Sequence, residues 1–485
     1  MINSIQHFEE KIIPKLEKLE NEYLKNPLNL DEYVKEIANV MHHFELFIVQ
    51  ETLEMMDQML QESQVRAEKW VVEAHKQKQL LTTLGNVTFQ KTLFKNKQTG
   101  KCEYLLDKIL GLHPHERITD GAMANALEEA VQTSYQRGGE EISVTTQVSK
   151  QTIKNKIHQL KFPKQEEQNI KKKEVPYLYL DADEDHVSLQ FRETKGDLKK
   201  EKRQGKQNGL LVKMVYVYEG IEPEAPKSKR HRLINPHYFC GVNVGEANIA
   251  FWDEIYEYIE SHYELSNVKK IYLNSDGGSW IKAGMKRIKG ICHVLDGYHI
   301  KQSLGILFRD ELEEEKAKKK EVIKTGTKEQ VRGMLEGLKI TEHKARQKRK
   351  EDEKTYILSN LEAIKVRLNR AEGVVGSSTE GHVSHILSER MSSRPMGWSK
   401  IGAEKMAQLR AYVMNGRSLE ELMNYQKEKE TEEKKEICKI LSSKQVLESE
   451  KNRHGILGKY MECIHHTFAT QKKKQVYFQS HIWGL

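Results

Sequence analysis

The chain has 485 residues and a mass of 56.5 kDa, enough for two to four domains at roughly 100–200 residues each. Its 79 Lys and Arg against 71 Asp and Glu give a net charge of +8, and 38% of residues are hydrophobic, a balance that excludes an intrinsically disordered chain. No apolar run reaches the ~18 residues of a membrane span, Met1 to Glu20 lacks a secretion signal, and the five cysteines form no Cys-x-x-Cys pair; a cytoplasmic protein with reduced thiols and no membrane partner is expected.

In chain order, Ile5, Phe8, Ile12, Leu16 and Leu19, then Val34, Ile37 and Met41, recur at helical spacing, predicting two or three amphipathic helices up to Gln77. Alternation at Val87, Phe89 and Leu93, a turn at Lys95 to Gly100, and the run Cys102 to Leu106 predict a hairpin. Helical patterns return from Thr119 to Gln136 and from Ser149 to Leu160, with Ser149 as N-cap. Strand signals then follow at Tyr177 to Asp183, Val187 to Phe191, Leu210 to Tyr218 and Val268 to Asn274, with a basic loop from Lys195 to Lys206 and a helix from Glu246 to Tyr263. No proline lies between Pro236 and Pro395, and Gln302 to Arg370 is helical and highly charged, with Ile357, Leu361, Ile364 and Leu368 on one face. Helical sequence resumes near Glu380 and continues beyond Leu422. The predicted organisation is a helical module (1–80), a hairpin with a helix-turn-helix-like region (81–170), an α/β core in two parts (171–301 and 373–415) split by a helical insertion (302–372), and a helical C-terminal region (416–485).

Four constellations carry chemistry. An apolar strand delivers Asp181, Asp183, Glu184 and Asp185; clustered carboxylates at a strand end suit a hard cation, although a solvated turn has the same composition. A second strand delivers Asp276 into Gly277-Gly278, where the alternative is a capping turn. Asp296 and His299 are three apart and share one helical face, where the alternative is a capping Asp and a surface His. Glu380 follows Gly376-Ser-Ser-Thr in a first helical turn, a position that the helix dipole alone would favour. Taken together, acids from different elements can converge as two-metal phosphoryl-transfer sites require.

The motifs Asp-Glu-Asp-His-Val (183–187), Leu-Asn-Ser-Asp-Gly (273–277), Leu-Asp-Gly-Tyr-His (295–299) and Arg-Met-Ser-Ser-Arg-Pro-Met-Gly-Trp (390–398), in this order, resemble the ISLre-two family of insertion-sequence DDE transposases. The resemblance extends from Leu84 to Trp398. It implies an RNase H-like mixed sheet with an all-helical insertion. It also implies a metal-binding and catalytic triad of Asp183, Asp276 and Glu380, with Asp181 as the competing first acid because it shares a strand face with Asp183. Asp296 with His299 resembles the Asp-x-x-His signature of Mutator-like relatives, in which a helical insertion also precedes the catalytic Glu. The implied chemistry is cleavage of transposon ends and strand transfer into target DNA with two Mg²⁺ or Mn²⁺ ions, by a homodimer or higher oligomer assembled on double-stranded DNA. A transposase-derived DNA-binding regulator, or a nuclease without strand transfer, are the alternatives.

For DNA contact, Lys150 and Lys154 share a face of the Ser149–Leu160 segment, while Ile153 and Ile157 share another, as in a recognition helix. A preceding helix, Ala122 to Tyr135, would join it through Gly138-Gly139. Lys199, Lys200, Lys202 and Arg203 of the basic loop, with Arg390 and Arg394, are the candidate phosphate contacts. No zinc-spaced ligand set and no Gly-x-Gly-x-x-Gly or Walker motif is present.

Overall fold

A computed structural model describes residues 2–163, 171–198, 208–309, 311–338 and 344–427. They divide into two compact units. One holds residues 2–130, 134–153 and 423–427, the other 131–133 and 154–422. Among the described residues no helix is long and apolar enough to cross a membrane.

The first unit contains the 33-residue helix Leu30–Glu62, about 50 Å long at 1.5 Å per residue, and the helix Ile13–Lys25, linked by a stack of Tyr23 on Tyr33 at 4.5 Å. A three-stranded antiparallel sheet follows: β1 (Trp70–Leu81), β2 (Asn86–Asn96) and β3 (Cys102–Glu103), in that order. Leu53, Leu60, Phe89, Phe94, Leu105 and Leu106 form its core. The helical reading up to Gln77 is corrected here, because Trp70 to Leu81 is strand, paired from Trp70↔Asn96 to Leu81↔Asn86. Its polar residues fit a helix surface equally well, and the partner strand decides the conformation. The predicted hairpin between β2 and the segment after Gly100 shrinks to Phe94↔Glu103 and Lys95↔Cys102, and Leu105–Ile109 is helical.

In the second unit, five strands form one mixed sheet. β4 (Tyr177–Ser188) is central. β5 (Gly209–Tyr218) and then β8 (His237–Gly241) lie on one side through antiparallel pairings, and β9 (Lys270–Ser275) and then β10 (Ile291–Leu295) lie on the other through parallel ones. A two-stranded ribbon, β6 (Gly220–Pro223) with β7 (His231–Ile234), lies between β5 and β8 in sequence. The two strands predicted at Tyr177 to Asp183 and Val187 to Phe191 are one. Glu184, Asp185 and His186 look like a turn in sequence, but they pair with Lys213, Val212 and Leu211, so the ladder continues to Ser188.

The sheet has two unlike faces, as period-2 alternation requires. Leu178, Leu180, Val215, Val217 and Leu273 pack under the helix Glu246–His262, whose Phe251, Trp252, Ile255 and Ile259 complete a core. The opposite face carries Tyr177, Tyr179, Tyr216, Tyr218, Tyr238 and Tyr272, whose rings contact one another at centroid distances of 5.3–6.1 Å. Between β10 and residue 379 the described residues contain helices and no strand: Gly297–Leu307, Glu313–Thr325, Lys328–Glu336, Lys344–Ser359 and Leu361–Leu368. Their cluster of Ile300, Leu307, Ile323, Val331, Leu335, Ile357, Leu361 and Ile364 includes Leu295 of β10, which joins the insertion to the sheet edge.

Candidate active site

Parallel register aligns three acids where the parallel ladders of β4, β9 and β10 end. Ala182 of β4 pairs with Ser275 of β9, and Ser275 pairs with Leu295 of β10, so the next residues in each strand direction are Asp183, Asp276 and Asp296. All three line one cavity of about 270 Å³, together with Glu380 from the short helix Thr379–Val383, Ser275, Tyr298 and Ser377 to Thr379. Residues nearly two hundred positions apart in the chain therefore meet. All four acids are hard oxygen donors, the set that Mg²⁺ or Mn²⁺ selects, and the cavity has room for an ion with several of its waters at ~30 Å³ each. They share a cavity without closing on one point. Among the described residues no three His, Cys, Asp or Glu side chains are gathered closely enough to grip an ion unaided.

The electrostatics differ from acid to acid. Burial, reinforced by the neighbouring Asp276 and Glu184 charges, pushes the Asp183 carboxyl up to about 6, against the hydrogen bond that its Oδ1 accepts from the Glu184 N–H at 2.8 Å. Asp276 Oδ1 accepts from Gly278 N at 2.9 Å, and the Tyr356 hydroxyl donates to the Asp276 carbonyl at 2.6 Å, so the insertion braces this turn. Gly277 has φ +83° and a Cβ there would lie 2.6 Å from Asn360 Oδ1, which leaves glycine the residue that fits. Asp296 caps the helix Gly297–Leu307, accepting from the N–H groups of Tyr298 and His299 and from His299 Nδ1 at 3.2 Å. These donors hold Asp296 below the usual carboxylate range despite its burial. The hydrogen bond to Asp296, with the negative charge of Asp276 and Asp183, in turn raises His299.

Asp181 stands apart. It is fully buried, and its two oxygens accept from Tyr216 Oη (2.8 Å), Tyr218 Oη (3.1 Å), Asn274 Nδ2 (2.7 Å), Ser377 Oγ (3.0 Å) and Thr379 Oγ1 (2.9 Å). With five donors committed it does not line the cavity, whereas Asp183 does. Asn274, Arg367, Ser377 and Thr379 carried no expectation from sequence. The one available signal was the tyrosine alternation running into Asp181, which marks a strand face that is polar yet buried.

Of the basic candidates, Lys150 is exposed and Lys154 half-buried, on the helix Lys150–Gln159, whose Ile153 and Ile157 are buried. The helix before it, Asp120–Gln132, stops short of Tyr135, and a separate short helix, Tyr135–Glu140, carries Gly138 and Gly139. Lys199, Lys200, Lys202 and Arg203 lie outside the described residues. Arg394 is exposed. Arg390 is 4% exposed, with its guanidinium 5.0 Å over the Trp398 ring and a contact to Met396 Sδ, so packing on the aromatic face withdraws it from the surface.

The chain belongs to the uncharacterised protein family UPF0236, whose family model matches residues 23–429. It is 34% identical over 402 residues to the UPF0236 protein of Caldanaerobacter subterraneus subsp. tengcongensis whose name joins TTE0033 with ten further loci, covering 82% of this chain and 81% of that protein. A second UPF0236 protein of the same organism, TTE0610/TTE0881/TTE1053/TTE2432, is 33% identical over 425 residues, covering 87% and 85%.

Proposed function

We propose that this UPF0236 protein is a DDE-type DNA transposase of the ISLre-two kind, built on an RNase H-like core. The carrying observation is the convergence of Asp183 and Asp276, just past the last parallel pair of β4 and β9, with Glu380, delivered by a helix after a long helical insertion, around one cavity. A mixed sheet with acids at one edge and a helical insertion before the last acid is what the motif resemblance implies. The relatives' names add support, since a name that joins eleven loci fits a gene repeated within one genome, as a mobile element would be.

Asp183, Asp276 and Glu380 would hold divalent cations, Mg²⁺ or Mn²⁺. Bound there, such ions supply Lewis acidity at the phosphodiester and lower the pKa of the attacking water or 3′-hydroxyl. The protein's own part is positioning. Asp276 is fixed by Gly278 and Tyr356, and Asp183 by the strand ladder. His299, whose pKa is raised by its hydrogen bond to Asp296 and by the nearby Asp276 and Asp183 charges, stands beside the acids, where its imidazolium form would offset phosphate charge. Lys150, Lys154 and Arg394 are candidates for backbone contacts that set register on double-stranded DNA.

The test uses the full chain with duplexes carrying the flanks of its own coding segment. Cleavage at discrete flank positions should require Mg²⁺ or Mn²⁺, and the freed 3′ ends should join to a supercoiled plasmid. Glu380→Gln should lower cleavage by ~10²-fold or more, given that metal-assisted charge stabilisation contributes several kcal/mol, while leaving binding in place. Cleavage without joining would identify a nuclease; undiminished cleavage by Glu380→Gln would refute the active-site assignment.

A further inference from the structure

The segment leading into Glu380 is fastened at several points, most of them on the tyrosine face of the sheet. Glu372 accepts from Tyr177 Oη through its side chain (2.6 Å) and from Tyr272 Oη through its carbonyl (2.5 Å). The Gly373 carbonyl accepts from Tyr179 Oη at 2.7 Å, and Gly373 lies so close on the Tyr177 ring that a Cβ would sit 2.8 Å from it. Arg367 donates to the Val375 carbonyl at 2.7 Å, to the Leu295 carbonyl at 3.2 Å and to Asn274 Oδ1 at 3.0 Å. Ser377 and Thr379 then donate to Asp181, their two hydroxyl oxygens lying in contact with each other. Residues 372, 373, 375, 377 and 379 are thus each tied down, and the next residue is Glu380.

Asp181 is the hub. Its carboxylate joins β5 through Tyr216 and Tyr218, β9 through Asn274, and the segment through Ser377 and Thr379, while Asn274 relays to Arg367. A buried carboxylate is costly unless its lone pairs are filled, and here the filling groups come from three separate elements. The arrangement therefore holds only when those elements are in register, which makes it a geometric lock.

We propose that Asp181 is a positioning residue: through Ser377 and Thr379 it fixes residues 377–379 on the sheet and so sets where Glu380 stands in the cavity. The inference rests on the reading of Glu380 as a working acid of that cavity. It assigns Asp181, two residues from Asp183 on the same strand face, a different task from that of its neighbour.

Two variants test it. Asp181→Asn removes the charge at constant shape. Ser377→Ala/Thr379→Val leaves Asp181 with Tyr216, Tyr218 and Asn274, so the sheet face keeps its partners even if Asp181→Asn folds poorly. In the full-length double variant, amide hydrogen exchange over residues 376–385 should quicken at least tenfold while β4 and β5 exchange as in wild type, since the change is a local opening. The Mn²⁺ concentration for half-maximal DNA cleavage should rise about tenfold, with much of the rate regained at saturating Mn²⁺; Glu380→Gln should regain none. Unchanged exchange over 376–385 with unchanged Mn²⁺ dependence would overturn the positioning role. So would a cleavage loss in Asp181→Asn that saturating Mn²⁺ leaves untouched while exchange is normal, because it would make Asp181 a direct ligand. Faster exchange in a chain whose wild type cleaves no DNA would uphold the positioning role and remove the transposase reading.

Discussion

Acidification should weaken the second unit through His237. This residue opens β8, stacks on Tyr258 at 4.2 Å with Phe239 at 4.9 Å, and faces the positive charge of Arg417 and the ring of His262. Burial first, then those two neighbours, pushes its pKa down to about 3 from an unfolded value of 6.5. The folded state thus stays neutral where the unfolded state binds a proton, so the stabilisation is whole above pH 6.5 and is lost as pH falls from 6.5 towards 3. At pH 5 the unfolded chain is favoured by 1.5 pH intervals at 1.36 kcal/mol each, about 2 kcal/mol. That figure depends on the unfolded value alone, provided the folded value lies well below 5. Urea unfolding at pH 7 and pH 5, followed by the fluorescence of Trp252 and Trp280, measures the loss, but other groups titrate in the same range. The informative quantity is therefore the difference from His237→Phe, which preserves the aromatic stack and cannot be protonated. Its acid loss should be smaller by about 2 kcal/mol. Equal losses in wild type and variant would refute the claim that a neutral His237 is a condition of folding.

Asp183→Asn should stabilise the metal-free fold. A carboxyl raised from 3.8 to about 6 weakens the folded state above pH 6 and not below 3.8, so at pH 7.5 in EDTA the variant should gain about 3 kcal/mol in urea unfolding while losing DNA cleavage; a less stable variant would contradict the crowding of charge at this site. Gly284→Ala should cost about 2–3 kcal/mol by overpacking, because a Cβ there falls 2.0 Å from the indole of the buried Trp252, and an unshifted urea midpoint would show that this contact can relax. Lys150→Ala with Lys154→Ala should weaken DNA binding across all sequences and reduce the slope of log affinity against log salt by about 1–2, as read by fluorescence anisotropy over a salt series; an unchanged slope would remove this helix from the interface.

Local pattern was enough for several elements. Alternation in Tyr177-Leu-Tyr-Leu-Asp-Ala-Asp183 places the tyrosines and both aspartates on one strand face and the aliphatics on the other, and β4 keeps that division. Apolar spacing at Ile357, Leu361 and Ile364 marks a buried helical stripe, since helix periodicity is a property of neighbours three and four apart. Asp183, Asp276 and Glu380 could be singled out because each ends or begins a recognisable element, and the cavity contains all three.

Other outcomes depended on partners that no window of sequence contains. Trp70 to Leu81 becomes strand because β2 offers it a ladder, and the acids at 184–186 continue β4 because Lys213, Val212 and Leu211 pair with them. Arg390 leaves the surface because Trp398 offers a ring to cover it. The division of labour between Asp181 and Asp183 is the clearest case. The motif resemblance favours Asp183 and leaves Asp181, on the same strand face, as its competitor; tertiary contacts commit both oxygens of Asp181 to five donors and place Asp183 at the cavity wall. Sequence spacing sets the direction in which a side chain leaves the backbone; which groups wait there is decided by segments nearly two hundred residues away, and those segments determine whether a carboxylate is a strut or a candidate ligand.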